Sequence, residues 1–413
     1  MTSGETARPS LDLLRALTDE HVLRALMRKR RLTRAELAAQ TGISKPAVGE
    51  SVRRLAAAGL VADTGERTPG GRGRGRVGTY YSLADGAGGV GGVGGALAVS
   101  VEPACVVAEY ADAYGDTLAR AREDIVWPAG PDPVAAALRS AAAHVIGGAG
   151  AGGGARVAVV SAAGPVDRAS GRLVRLPDEP FRLGELDAAA VLRPLVAGPV
   201  LVDNDVNWAA RAERDIAVDS ASDDFAYLYL GEGLGAAIVS NGEVVRGHAG
   251  LAGEVAHIVT AGVEGRATQF IDVFGDLGLR QPGSTAIDVP RLLAVAADAG
   301  AAAAVRDLIG QAVSGVLAAL TELADPRFVV VGGPWGNHPA LFAAVTAAAA
   351  RLRRPVSVRA AEVTSEPSLA GARAEALRLL RAGILATARN SARNEAAPNA
   401  LTSSAEVGAD AVV

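Results

Sequence analysis

Residues 33–61, TRAELAAQTGISKPAVGESVRRLAAAGLV, leave few ways to fold. Thr33 and Glu36 stand at the spacing of a capping box, which satisfies the free amide donors of a helix's first turn. Leu37 and Ala38 then face inward, and Gly42 supplies a tight turn. Ser44 caps a further helix running to about Ala58, with Val48, Val52 and Leu55 as its buried stripe. Upstream, residues 19–31 place Val22, Leu23 and Leu26 at helical spacing with charges opposite. Helix, glycine turn, helix and an exit at Gly59 together spell a helix-turn-helix. Val61–Asp63 and Val77–Leu83 read as the two strands of a wing around TPGGRGRGRVG.

This head is expected to meet double-stranded DNA. Its third helix would present Ser44, Lys45, Gly49, Glu50, Arg53 and Arg54. The N-terminal residues would approach base edges, and Arg53 and Arg54 would hold phosphates. Gly49 costs roughly 1 kcal/mol relative to alanine in a helix, and close backbone approach to the groove would explain it. Arg72, Arg74 and Arg76 alternate with glycines, a pattern suited to a narrow minor groove; a solvated loop is the alternative.

Charge supports the division. Residues 1–82 hold 15 Lys and Arg against 8 Asp and Glu, leaving 26 against 37 in the remainder, so a basic head sits on an acidic body. At 413 residues, two or three folding units are expected. No apolar stretch lacks both charges and glycines over a membrane-spanning length, and MTSGETARPS carries no secretion signal. With the single Cys105, a cytoplasmic protein is expected.

The organisation expected is a DNA-binding domain at 10–83, a glycine-rich linker at 84–95, a body at 96–388 and a disordered tail at 389–413. A second glycine-rich stretch, 147–154, reads as a surface loop. Candidate strands are 96–101, 157–162, 199–204, 225–230, 236–240 and 328–333. Candidate helices are 133–146, 206–214, 290–324, 339–352 and 369–386. Short apolar runs alternating with helices describe an α/β body.

Several body stretches, VDNDVNWAARAE at 202–213, YLYLGEGLGAAIVSNGEVVRGHAGLAGEVAH at 227–257, AAGPVDRASGRLV at 162–174 and VVVGGP at 329–334, resemble the ROK family (repressors, open reading frames and kinases), in particular its regulators of the NagC/XylR type. The resemblance spans roughly residues 19–386. It implies an all-α/winged helix-turn-helix head on an α/β, two-lobed, actin-like ATPase body, assembled as a homodimer or homotetramer. It also implies roles for single residues. Asp205 of the Asn204-Asp205 pair matches the base that accepts a sugar hydroxyl proton. Gly231, Gly233 and Gly235 match a phosphate turn, and Glu254 and His257 match a sugar-contacting element whose histidine also binds zinc.

Three departures from that pattern matter more than the matches. The first phosphate loop reads Ser100-Val101-Glu102-Pro103-Ala104, with a carboxylate where phosphate should enter and a proline without an amide donor. The segment 261–275 has no cysteine, so His257 has no partners for a tetrahedral zinc site. Ile271, with Asp272 beside it, stands where the family has a sugar-binding glutamate, and Ala256 replaces a glycine.

The expectation is therefore a transcriptional regulator of carbohydrate-related genes, with no enzymatic activity, cofactor or metal. Asn204, Asp205, Glu254 and His257 would bind a sugar or sugar-derivative effector, and apolar helices such as 290–324 would join the subunits. The alternatives are an ATP-dependent sugar kinase with an attached DNA-binding head, and a constitutive regulator with a ligand-free body.

Overall fold

The computed structural model describes residues 11–396, except 69–76, 85–91, 127–128, 151–153, 177–185, 217–222 and 298–301. The head is α1 (Leu11–Lys29), β1 (Arg31–Thr33), α2 (Arg34–Thr41), α3 (Lys45–Ala57), β2 (Val61–Arg67) and β3 (Thr79–Leu83). Thr33 makes both bonds of its capping box, donating its amide to Glu36 at 2.8 Å and accepting from the Glu36 amide at 3.2 Å. Gly42 ends α2 in the left-handed region at φ 71°.

The first helix starts earlier than position 19, and the strand β1 is an addition to the sequence reading. Thr33 closes that strand and caps the next helix, and β1 and β2 flank β3 in an antiparallel sheet. The wing strands are Val61–Arg67 and Thr79–Leu83; Arg72, Arg74 and Arg76 lie outside the described residues.

The first lobe comprises β4 (Ala96–Val101), β5 (Cys105–Ala111), β6 (Thr117–Asp124), α4 (Pro131–Gly148), β7 (Val157–Ala162), α5 (Ala188–Leu192), β8 (Val200–Asn204) and α6 (Asp205–Ile216). The second comprises β9 (Phe225–Leu230), β10 (Leu234–Ser240), β11 (Glu243–Val244), β12 (Val259–Ala261), β13 (Ala267–Gln269), α7 (Phe270–Asp276), α8 (Val289–Ala297), α9 (Ala302–Ala324), β14 (Val329–Gly332), α10 (Pro339–Ala349), β15 (Val358–Ala360) and α11 (Pro367–Ala396).

The two main sheets repeat one plan. Their orders are β6-β5-β4-β7-β8 and β11-β10-β9-β14-β15, each an antiparallel meander continued by two parallel strands. Strands β4 and β7 are buried along their whole length, which explains their unbroken apolar runs. The helices that leave the sheets trade places: α6 follows the first sheet but packs on β9 and β10, whereas α11 follows the second and packs on α6, β4 and β7. At the crossing, a Cβ on Gly371 would stand 2.0 Å from the Trp208 carbonyl oxygen, so only glycine lets these helices approach.

Several expectations need correction. The helix expected at 290–324 is described as α8 and α9, with 298–301 outside the described residues; Arg306 donates to the Ala296 carbonyl near the end of α8 at 2.8 Å. By length and composition α9 could cross a membrane, yet Val313, Val316, Leu317 and Leu320 pack inside the second lobe. That packing spends these residues within one subunit, whereas Leu323 near the end of α9 stays exposed. The helix expected at 369–386 continues to Ala396, past the expected start of the tail at 389; residues 397–413 lie outside the described residues. The stretch 147–154 begins inside α4, which runs to Gly148. At the far end of the linker, Val93 is buried and donates its amide to the Ala84 carbonyl at 3.1 Å, so the linker's last residues belong to the packed body.

Head and body share one apolar cluster, in which Val22, Leu23 and Leu26 of α1 meet Leu380, Ile384 and Leu385 of α11. Arg389 reaches Glu20 at 2.7 Å, and Arg30 pairs with Asp116 at 2.6 Å. Tyr114 accepts the Leu83 amide at 2.9 Å and donates to the Arg30 carbonyl at 3.1 Å. Arg381 of α11 holds the same turn through the carbonyls of Ala113 and Tyr114.

Candidate functional site

The third helix of the head is capped as the sequence implies, with the Ala47 amide donating to Ser44 Oγ at 3.4 Å and Pro46 in the first turn. Val48, Ser51, Val52 and Leu55 are buried, which leaves Ser44, Lys45, Glu50 and Arg53 exposed on the other side. Glu50 and Arg53 form an ion pair across one turn, an exposed contact of little energy that a phosphate could displace. Gly49 has nothing within 4 Å of where a Cβ would stand, so the fold itself does not require glycine there.

Arg54 is a correction. Its guanidinium makes two hydrogen bonds, at 3.2 and 2.6 Å, to Asp19 of α1, whose side chain is only 2% exposed. That pair fastens α3 to α1 and takes Arg54 out of the phosphate-holding role expected of it.

In the body, one cavity of about 500 Å³ lies between the lobes, and Asn204, Asp205, Glu254 and His257 all line it. Convergence of four residues from distant sequence follows from the exchange of α6. Asp205 opens that helix at the tip of β8, while Glu254 and His257 come from the loop beyond β11. Gly253 fixes that loop: its φ is +98°, its carbonyl accepts the Ala236 amide at 2.8 Å, and a Cβ there would stand 1.9 Å from the Ala236 oxygen.

The four residues differ in their freedom to bind. Asn204 caps α6, accepting the amides of Val206 and Asn207 at 2.9 and 3.4 Å, and donates to the Gly164 carbonyl at 3.0 Å. Its side-chain oxygen is thus committed to the turn, where it positions Asp205, while one Nδ2 hydrogen remains beyond the bond to Gly164. Burial, with Glu254 adding repulsion, pushes the Asp205 carboxyl up to about 7, partly offset by the Val206 amide. Burial also raises Glu254 to about 6, with His257 opposing it. The His257 ring bonds through Nδ1 to Gln269 Oε1 at 3.0 Å. Gln269 therefore stands beside the histidine where the family pattern would supply metal ligands. Among the described residues no cluster of three or more His, Cys, Asp or Glu could hold a metal ion.

Sequence reasoning missed Glu232, Glu366, Gln269 and the pair that backs the site. Asp203 accepts two bonds from Arg246, at 2.8 and 2.6 Å, and another from Asn207 at 2.9 Å, locking the Asn204-Asp205 turn to the start of the loop that carries Glu254. The position of Glu232 between Gly231 and Gly233 is a signal that could have found it; Glu366 reaches the cavity only because α11 crosses between lobes. Ile271 lines the cavity, whereas Asp272 turns to Arg280 at 2.7 Å. Glu102 and Pro103 form part of the wall at the β4–β5 turn, and Cys105, buried beside Glu102, has its thiol pushed up to about 11.

Comparison with known proteins agrees with this architecture. The profile of the ROK family matches residues 108–270, and that of a winged helix-turn-helix DNA-binding domain matches residues 15–62. A glucokinase of Halalkalibacterium halodurans is 42% identical over 60 residues, covering 14% of this chain and 18% of that protein. A xylose repressor of Caldicellulosiruptor bescii is 31% identical over 94 residues, 23% of each chain. The matched stretches thus span about a fifth of these curated relatives. The crystal structure of a ROK family transcriptional regulator, a homologue of the E. coli MLC protein, superposes with a TM-score of 0.60 at 18% identity, covering 91% of this chain and 99% of that one. The chain carries a ROK family domain behind an N-terminal winged helix-turn-helix domain.

Proposed function

We propose that this chain is a sequence-specific DNA-binding transcriptional regulator whose body senses a small polyhydroxylated effector without phosphorylating it. The observation that carries the reading is α11. It begins with Pro367 and Ser368 in the cavity wall and packs against α1 of the head near its other end. At 1.5 Å per residue its 30 residues give a strut of about 45 Å. A second connection runs through β5, with Glu102 to Ala104 at the cavity end and Tyr114 and Asp116 against the head. An effector that prefers one lobe arrangement would bias both connections, by no more than its difference in affinity for the two states.

On the DNA, Ser44, Lys45, Gly49 and Glu50 would face base edges, with Arg53 and the arginines at 72, 74 and 76 on phosphates. Two heads in a homodimer or homotetramer would read a palindromic operator. The xylose repressor among the similar proteins favours genes of carbohydrate metabolism as targets, and the protein would work in the cytoplasm, alongside the chromosome.

A kinase reading has two observations in its favour: a carboxylate near 7 at Asp205 suits a general base, and the similar proteins include a glucokinase. Against it stand Glu102 and Pro103 at the phosphate loop, which repel a triphosphate and withhold a donor. Sugar-dependent ADP release from ATP, assayed on the protein that binds operator DNA, decides between them. The proposal expects none above background; release abolished by Asp205→Asn would establish the kinase instead.

A further inference from the structure

The chemistry of the cavity wall is lopsided. Among the described residues five carboxylates line it, Glu102, Asp205, Glu232, Glu254 and Glu366, and no lysine or arginine does. Four more lining positions, Pro103, Pro165, Pro334 and Pro367, have no amide hydrogen to donate. A ligand in such a wall must bring donors of its own, and a ligand rich in acceptors would leave them unpaired.

Both places where an anion would otherwise be welcome are already filled. The start of α11 offers unpaired amides, but Glu366 immediately precedes it. The glycine turn at Gly231, Gly233 and Gly235 has Glu232 in its middle. Internal compensation reaches some of these groups: Glu366 pairs with Arg120 at 2.5 Å, and His257 faces Glu254. Glu102 and Asp205 are different. Glu102 has the Ser100 hydroxyl at 3.4 Å and the Cys105 thiol at 3.5 Å, with the Arg122 guanidinium, itself bonded to Asp124, feeling its charge without bonding to it; Asp205 has the Val206 amide, and among the described residues neither carboxylate forms an ion pair. Burial and then the charges of Asp205, Glu102 and Glu232 push the Tyr229 phenol upward, which places these three carboxylates around one ring.

We infer that the cavity selects a small polyol carrying an amino group, of the amino-sugar or aminocyclitol class, with its ammonium between Glu102 and Asp205, and rejects phosphorylated sugars. This deepens the effector reading and rests on it. Hydroxyls would donate to Glu254 and to His257 Nε2, since the ring gives its Nδ1 proton to Gln269, and the ammonium would supply the directly paired cation that Glu102 and Asp205 lack. A volume near 500 Å³ is within the range of small-molecule sites and suits a ligand of one or two rings.

The test uses the full chain and three matched sets of probes at pH 7: glucose, mannose and galactose, each as the 2-amino, unmodified and 6-phosphorylated sugar. Binding is measured by titration calorimetry for the native protein and for Glu102→Gln, whose melting is followed to confirm that it folds. In at least one set, the amino sugar is expected to bind at least tenfold more tightly than its unmodified form, and the phosphate more weakly than either. Glu102→Gln should erase the amino preference while leaving the unmodified sugar bound. A phosphate that binds as well as the amino sugar, or an amino preference that survives Glu102→Gln, overturns the inference while the effector reading stands. If no probe in any set binds, both fall.

Discussion

Replacing Gly49 by alanine separates what the fold needs from what DNA needs. Gly49 lies mid-way along α3, its φ is not among the positive ones, and no atom stands within 4 Å of the position a Cβ would take. Intramolecular considerations therefore run one way. Alanine improves helix propensity by about 1 kcal/mol without a clash, so the head should become more stable by roughly 0.5–1 kcal/mol. If α3 approaches the major groove closely at this point, the new methyl group meets a base or a phosphate. Forfeiting even one good interaction there, about 1.4 kcal/mol, weakens binding tenfold. Urea denaturation followed by circular dichroism, and fluorescence anisotropy with a labelled operator, measure the two effects on one preparation. The expected result is a more stable protein that binds DNA at least about tenfold more weakly. A variant of raised stability and unchanged affinity would refute the close approach, and one of lowered stability would refute the account of the helix.

Three other perturbations follow from the same geometry. Asp19→Ala strips the buried partner from Arg54 and should lower the unfolding free energy of the head by roughly 3 kcal/mol, with the Asp19→Ala/Arg54→Ala double variant losing less than the sum of the singles. Alanine at Arg72, Arg74 and Arg76 together should reduce the salt dependence of DNA binding by about 0.9 in log–log slope for each phosphate no longer neutralised; an unchanged slope would remove the wing from the interface. The third concerns pH. The Asp205 carboxyl sits at about 7 when folded, against 3.8 ordinarily, so between these values the folded state holds more proton than the unfolded chain and this group's contribution to stability falls as pH rises. Asp205→Asn should therefore gain stability relative to the native protein on going from pH 4 to pH 8, by on the order of a few kcal/mol, and a constant difference in chemical denaturation at the two pH values would contradict the buried carboxylate.

Legibility of the sequence follows how local the determining physics is. The capping box of Thr33 and Glu36, the αL turn at Gly42 and the stripe of Val48, Val52 and Leu55 depend on neighbours within a turn or two, and each stands as read. Strand β1 is hidden because three residues with a helix cap at the end carry no periodicity of their own. Strand β6 is hidden because its inward positions, Ala119 and Ala121, are too small to mark an apolar face between arginines. The repeated strand order of the two lobes is shared in hydrogen bonding, not in residues, so no period in the sequence announces it.

The site divides in the same way. Asn204, Asp205, Glu254 and His257 can be named in advance through the family pattern, and the cavity unites them. What cannot be read is their division of labour. Asn204 is committed to capping α6, and His257 is held by Gln269, a residue whose nearness depends on the β12–β13 hairpin. Arg54 is exposed by helical position alone; only the packing of α1 on α3 reveals Asp19 beneath it. Glu366 enters the cavity from the far end of the chain, through an exchange of helices that no local pattern encodes.

The central claim is that the body governs where and when the head binds DNA. A genome-wide map of occupancy by the tagged chain, repeated in cells grown on different carbon sources including amino sugars, tests it most directly. The account predicts sharp palindromic peaks beside genes of carbohydrate metabolism that weaken or vanish on one source. Peaks indifferent to every source would contradict an effector-sensing body, and the absence of peaks under all conditions would contradict the regulator itself.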